Sequence, residues 1–122
     1  MRCNIETMFS NIDAKDVDGF LANLADNVVF QFANASPLNG KGAVREGVAS
    51  FYTSIAALSH EITGKWEVGE TTVLRFKTVY TRHDGNDVEV PCSVILHHIE
   101  DGRIDDYRIY TDLSPVFAPA VH

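Results

Sequence analysis

The hydrophobic period changes once along this 122-residue chain, and that change decides what it can fold into. In the first part apolar residues recur three and four apart. Ile5, Met8, Phe9 and Ile12 make one stripe, and Val17, Phe20, Leu21 and Leu24 make a second behind Asp16, a residue type whose carboxylate accepts the free N–H groups of a helix start. The spacing predicts two short amphipathic helices jointed at Asp13 to Asp16. Asn27 to Phe32 reads as a strand and 33–41 as a loop rich in Asn, Ser, Pro and Gly. Val44, Val48, Phe51, Ile55 and Leu58 then mark a third, longer helix. From Glu61 the period is two, as in strands with one wet face, with Ile62, Gly64, Trp66 and Val68 on a common side. Four strands, Glu61 to Val68, Thr71 to Arg82, Asp87 to Glu100 and Arg103 to Asp112, are separated by Gly69-Glu70, His83-Asp84-Gly85-Asn86 and Asp101-Gly102, all of hairpin composition. Helices gathered on one face of an antiparallel meander make an α+β domain, expected here as a single unit over 1–122.

Charge and cysteine usage narrow the partners. Ten Lys and Arg against seventeen Asp and Glu give a net charge of −7, which repels phosphate backbones and anionic lipid surfaces, so neither nucleic acid nor membrane is an expected partner. No apolar run approaches the roughly 20 residues of a membrane span, and no basic-then-apolar leader is visible. The expectation is a soluble, cytoplasmic protein in which Cys3 and Cys92 stay reduced and unpaired. Adjacent strand residues such as His97 and His98 point to opposite faces and share no metal ion, and Gly40-Lys41-Gly42 lacks phosphate-loop spacing. No cofactor or metal is implied.

Three segments carry a family resemblance: "NIDAKDVDGFLANLADNVVFQF", "LNGKGAVREGV" and "HHIEDGRIDDYRIYTDL". They resemble the nuclear transport factor 2-like superfamily and, within it, the SnoaL-like polyketide cyclase group. The resemblance runs over essentially the whole chain. It implies a cystatin-like cone, with three N-terminal helices packed on a curved, mainly antiparallel sheet around a ligand pocket, and many members dimerise.

Strand parity then selects the pocket face, because alternate residues point to opposite sides. With a three-residue turn at Glu100-Asp101-Gly102 and an even-numbered loop at Asp84-Gly85, one face carries Pro91, Ser93, Ile95, His97, Tyr107, Ile109 and Thr111 together with Leu74, Phe76, Thr78 and Tyr80. The resemblance assigns this face to the cavity. The other carries Val88, Val90, Cys92, Val94, Leu96, Arg108 and Tyr110, and its apolar members predict a homodimer through the outer sheet face.

The acids that the resemblance would place in the cavity are missing. A steroid-isomerase pattern needs a carboxylate where this chain has Phe32, a tyrosine where it has Met8 and an acid where it has Ile95; epoxide-hydrolase and cyclase patterns need an acid at Ile109. The remaining candidates are His97, whose ordinary pKa lies near neutrality, and Asp112 near the last strand end. The expected pocket is lined by Met8, Phe32, Tyr52, Trp66, Phe76, Tyr80, Ser93, Ile95, Tyr107 and Ile109. Function is thus expected to be the binding of a small hydrophobic, cyclic ligand, with isomerase, cyclase or hydrolase chemistry as the catalytic option. The alternative is a non-catalytic association domain whose cone is filled by its own aromatics. Because Phe32, Ile95 and Ile109 replace the acids, neither efficient Δ5-ketosteroid isomerisation nor efficient limonene-type epoxide opening is expected; turnover comparable to that of the family's enzymes in a direct assay would overturn the register.

Overall fold

The computed structural model describes residues 4–117. Along them run α1 (Ile5–Asp13), α2 (Val17–Leu21), β1 (Leu24–Phe32), β2 (Leu38–Asn39), α3 (Lys41–Thr53), β3 (Ala57–Val68), β4 (Thr71–Thr81), β5 (Asp87–His98), β6 (Ile104–Thr111) and α4 (Ser114–Phe117). The strands form one sheet in the order β2-β1-β6-β5-β4-β3, antiparallel except for the β1–β6 pair. The architecture is α+β, as the two periods predict. No helix among the described residues is long and apolar enough to cross a membrane. Cys92 is a buried, unpaired thiol, and Cys3 lies outside the described residues.

The helix starts follow from their caps. Asn4 Oδ1 accepts the Thr7 N–H at 2.9 Å and Asp16 Oδ1 accepts the Gly19 N–H at 3.0 Å, which satisfies a donor at each start. The helix ends come earlier than the stripes suggest. Asn23 Nδ2 donates to the carbonyls of Gly19 and Phe20, closing α2 so that Leu24 opens β1 instead of extending the helix. At the end of α3 the Thr53 and Ser54 hydroxyls donate to the carbonyls of Ser50 and Phe51, and Lys15 Nζ donates to those of Tyr52 and Ile55 at 3.0 and 2.9 Å. With its last carbonyls taken, the helix stops at Thr53. Ile55 and Leu58 remain buried but lie outside the helix, Leu58 within β3. Strand β2 and helix α4 have no counterpart in the sequence-based expectation.

Two turns and two bulges decide which side chains meet the helices. At His83-Asp84-Gly85 the Arg82 N–H reaches the Asn86 carbonyl at 2.8 Å and the Gly85 N–H reaches the Arg82 carbonyl at 2.9 Å, with Gly85 at φ 89°. This is a three-residue loop with its glycine in the left-handed region, where an even-numbered loop was expected. Strand β5 therefore shifts by one residue against β4, pairing Leu74 with Val94 and Phe76 with Cys92. The Glu100-Asp101-Gly102 turn is the expected one, and His98 pairs with Ile104, but Asp105 is then an extra residue in β6, so that Ser93 faces Tyr110 rather than Ile109. The two shifts cancel for β4 and β6, leaving β5 alone inverted. Val90, Cys92, Val94 and Leu96 face the helices, each no more than 5% exposed, while Pro91, Ser93, Ile95 and His97 face outward.

The outer apolar patch of Val88, Val90, Val94 and Leu96 is thereby corrected. These residues belong to or pack against the core, and of the expected patch Tyr110 stays outside. A second bulge, between the Ile62–Phe76 and Gly64–Arg75 pairs, turns Trp66 to the outer face as well. There the indole is half exposed, with the Arg75 guanidinium 5.4 Å from its centre, and it lies against Gly64, where any Cβ would overlap the ring. The parity predicts that Val94→Glu buries an unpaired charge and destabilises the fold by about 3–5 kcal/mol, whereas Ile95→Glu puts its charge on the outer face and leaves the subunit folded. Urea unfolding of the two variants checks this.

Candidate functional site

Between the helices and the concave sheet lies a cavity of about 750 Å³. Its depth can be read from its lining: Phe20, Phe30, Tyr80 and Tyr107 are almost fully buried, whereas Asn34, Ser36, Ser114 and Phe117 are exposed and mark a mouth between the 33–37 loop and α4. The walls are aromatic and held by ring contacts. Phe32 and Phe51 lie 4.8 Å apart, Phe51 meets Tyr80 edge-on at 5.8 Å, and Phe30 stacks on Tyr107 at 5.1 Å. These contacts press the rings against one another and leave the lumen open.

Polar groups occur at two places. At the mouth Asp112 lines the cavity, but its Oδ1 accepts the Ser114 N–H at 2.9 Å and the Ser114 hydroxyl, and these bonds hold its carboxyl below the usual range. Asp112 is an ionised cap on α4. Deeper inside stand His60, Tyr52, Tyr80 and Cys92. Asp13, in the last turn of α1, accepts the His60 backbone N–H at 3.0 Å on one oxygen and meets His60 Nδ1 at 2.5 Å with the other. The imidazole is 8% exposed, packed edge-on against Phe9 and Phe76, and it borders both the main cavity and a shallow outer cleft beside Glu6 and Asp13.

Burial pushes the Tyr52 phenol up to about 12, helped by the charges of Asp13 and Asp16. Tyr80 is pushed up further, by burial first and then by Cys92, Asp13 and Tyr52. The Cys92 thiol rises to about 11, burial outweighing the Thr78 hydroxyl that pulls it down. At neutral pH these three groups are uncharged, so the phenols serve as hydrogen-bond donors and the thiol is a poor nucleophile.

The structure brings together some of the residues expected in the pocket and separates others. Phe32, Tyr52, Tyr80, Tyr107, Ile109 and Asp112 line the cavity. Met8 and Phe76 lie in the packed core instead of on the wall. Ser93, Ile95 and His97 sit on the outer face because β5 is inverted, and Trp66 does so because of the bulge in β3. His97 Nδ1 there meets Asp105 at 2.6 Å, its side chain about half exposed and far from any general-base role in the cavity. The buried histidine beside it, His98, is structural: Nδ1 donates to the Gly102 carbonyl at 3.2 Å, leaving Nε2 to accept the Thr72 hydroxyl at 3.0 Å.

His60 and Asp13 were missed by the sequence reading. The usable signal is the alternation Leu58, His60, Ile62, which extends the strand period three residues upstream, but Leu58 also completes the helical stripe of α3 and was absorbed there. Among the described residues no three His, Cys, Asp or Glu side chains converge in a metal-holding group.

The SnoaL-like domain family matches residues 5–107 of the chain. Among solved structures, an NTF2-like protein of unknown function from Burkholderia pseudomallei superposes with a TM-score of 0.83 at 18% identity, covering 93% of this chain and 91% of its own. An LEH-like epoxide hydrolase from M. tuberculosis gives 0.76 at 18% identity, with 93% and 83% covered. A putative SnoaL-like polyketide cyclase from a Jannaschia species gives 0.76 at 18% identity, with 95% and 92% covered. No curated protein matches the chain in sequence. At these identities the structural likeness is one of fold.

The raised phenols predict a pH dependence of stability. A tyrosine whose folded pKa exceeds its unfolded value contributes stability that is intact below about pH 10 and lost as pH climbs through the folded value. Unfolding midpoints should therefore fall between about pH 10 and 12, and Tyr80→Phe should flatten that fall; an equally steep decline in the variant would assign the effect elsewhere.

Proposed function

The chain belongs to the SnoaL-like domain family, and from that footing we propose that it binds a small hydrophobic, cyclic molecule in the cavity, with isomerase, cyclase or hydrolase chemistry as the catalytic option. The open volume of about 750 Å³ carries this reading. It falls within the roughly 300–1,000 Å³ of small-ligand sites, and its apolar walls with a few convergent polar groups suit a molecule with one polar end. The alternative of a cone plugged by its own aromatics loses support from the same volume, because Phe32, Phe51, Phe30 and Tyr107 pair along the walls. The related folds include a protein described as an epoxide hydrolase and one described as a putative polyketide cyclase, which is in keeping with a ligand in this position. Ile109 lines the cavity where the family resemblance calls for an acid, so any proton transfer here must use other groups.

A homodimer through the outer sheet face is proposed on a different set of residues from the one the sequence suggested. Trp66, Val73 and Ile95 form a row across β3, β4 and β5, with Tyr110 nearby on β6; Trp66, Ile95 and Tyr110 are exposed. A second copy of the same face is the simplest cover for such a row.

Two measurements test these readings. A hydrophobic fluorescent dye should bind saturably and be displaced by ring compounds, and a bound ligand at 100 times its Kd should stabilise the fold by about 2.7 kcal/mol. Filling the lumen with Ile109→Trp should weaken dye binding at least tenfold while the protein stays folded; undiminished binding would place the dye elsewhere. Sedimentation should give a dimer that Ile95→Glu converts to a folded monomer, and a monomeric unmutated protein would refute the association.

A further inference from the structure

Deep in the cavity, three hydrogen-bonding groups have no partner. His60 uses Nδ1 on Asp13, and the carboxylate, which only accepts, fixes the neutral ring as the Nδ1–H tautomer with its lone pair on Nε2. Among the described residues neither that Nε2 nor the hydroxyls of Tyr52 and Tyr80 make a hydrogen bond, although Tyr52 is 8% exposed and Tyr80 2% exposed and all three residues line the cavity. All three atoms are accessible from the lumen, unlike the buried Thr78 Oγ1, and so are free to bond an oxygen-bearing guest. The surrounding charge is specific too. Glu6 and Asp13 approach from α1, Asp16 from the start of α2, the two phenols from α3 and β4 and Cys92 from β5, while the Lys15 ammonium is committed to the carbonyls of Tyr52 and Ile55.

We propose that His60, backed by Asp13 and flanked by Tyr52 and Tyr80, forms a proton-accepting subsite for an acidic ring hydroxyl, phenolic or enolic, on the bound molecule. The proposal rests on the ligand-binding reading above and deepens it. In the step it describes, the ligand's O–H bond breaks, the proton moves to His60 Nε2, and the electron pair stays on the ligand oxygen, which accepts hydrogen bonds from the two phenols. The imidazolium then lies between the new oxyanion and the Asp13 carboxylate. Its positive charge offsets the negative field that Asp13 would otherwise impose on the oxyanion, so the pair works only as a unit. Reversal returns the proton to oxygen, and no other reactant is needed. The phenols suit the role because they remain protonated donors well above neutrality. The subsite is built from residues of α1, α3, β3 and β4, elements other than β6, whose Ile109 carries no acid.

The test uses 4-nitrophenol, whose phenolate absorbs visible light while the neutral phenol does not, with naphthalene as a probe that has no proton to give. At about one pH unit below the pKa of free 4-nitrophenol, the unmutated protein should bind both and show the phenolate band on binding the phenol. His60→Gln should still bind naphthalene saturably but lose at least nine-tenths of the band. Asp13→Asn, with folding checked by circular dichroism, should lose most of it too, since it removes the charge that stabilises the imidazolium. Binding of both probes without the band, or a band that survives in His60→Gln, would overturn the subsite and leave the ligand-binding reading standing. Binding of neither probe by the unmutated protein would overturn both.

Discussion

The face on which every β5 side chain ends is set by two one-residue offsets, the three-residue loop 83–85 that leads into the strand and an inserted residue in the strand that follows it. Asp105 is the extra member of β6 at the His97–His98 step, and its carboxylate is held by His97 Nδ1 at 2.6 Å. Because strand side chains alternate with period two, a one-residue shift moves a whole set from core to solvent. The register observed buries Val90, Val94 and Leu96, and burying such a side chain is worth about 1.5–3 kcal/mol. Three of them together rival the total stability of an ordinary domain, about 5–15 kcal/mol, whereas the exposed His97–Asp105 contact is worth far less. Burial selects the register, and the bulge is the geometry that admits it.

The same register shapes the cavity. With Val94 and Cys92 turned inward beside Tyr80, Tyr107 and Ile109, the concave face presents a continuous apolar wall. The helices then leave space because they are short: α2 spans five residues, and α3 stops where Lys15 and its own terminal hydroxyls take up the last carbonyls. The aromatic rings find partners along the wall, so the interior holds its shape without being filled. A helix run on through Ile55 to Leu58, as the stripe suggests, would remove the first part of β3 and with it the place where His60 stands.

Environment gives different work to like residues. Asp112 at the mouth is committed to Ser114, whereas Asp13 grips His60 by backbone and ring. His98 is locked between Gly102 and Thr72 in the core, His97 faces solvent, and His60 stands on the cavity wall with Nδ1 on Asp13. Chemical type alone does not distinguish these roles; the direction of each side chain does.

The amino-acid sequence by itself determined the class of fold. The three- and four-residue spacing of Ile5, Met8, Phe9 and Ile12, the cap at Asp16 and the period-two run from Glu61 are local physics, and so is the left-handed glycine at 102 that makes its hairpin. The inward side of β4 and β6 agrees with the expectation only because two one-residue offsets, neither of them expected, cancel. Tertiary structure decided the rest. The loop before β5 closes locally, on Gly85 and the Arg82–Asn86 pairing, but its composition suits loops of two, three or four residues alike, and the bulges at Thr63 and Asp105 arise where a long curved sheet must bend around its helices. Trp66, Ile95 and His97 left the cavity for that reason. The pairing of Asp13 with His60 spans 47 positions and exists only when α1 docks against β3, a contact that no local pattern encodes.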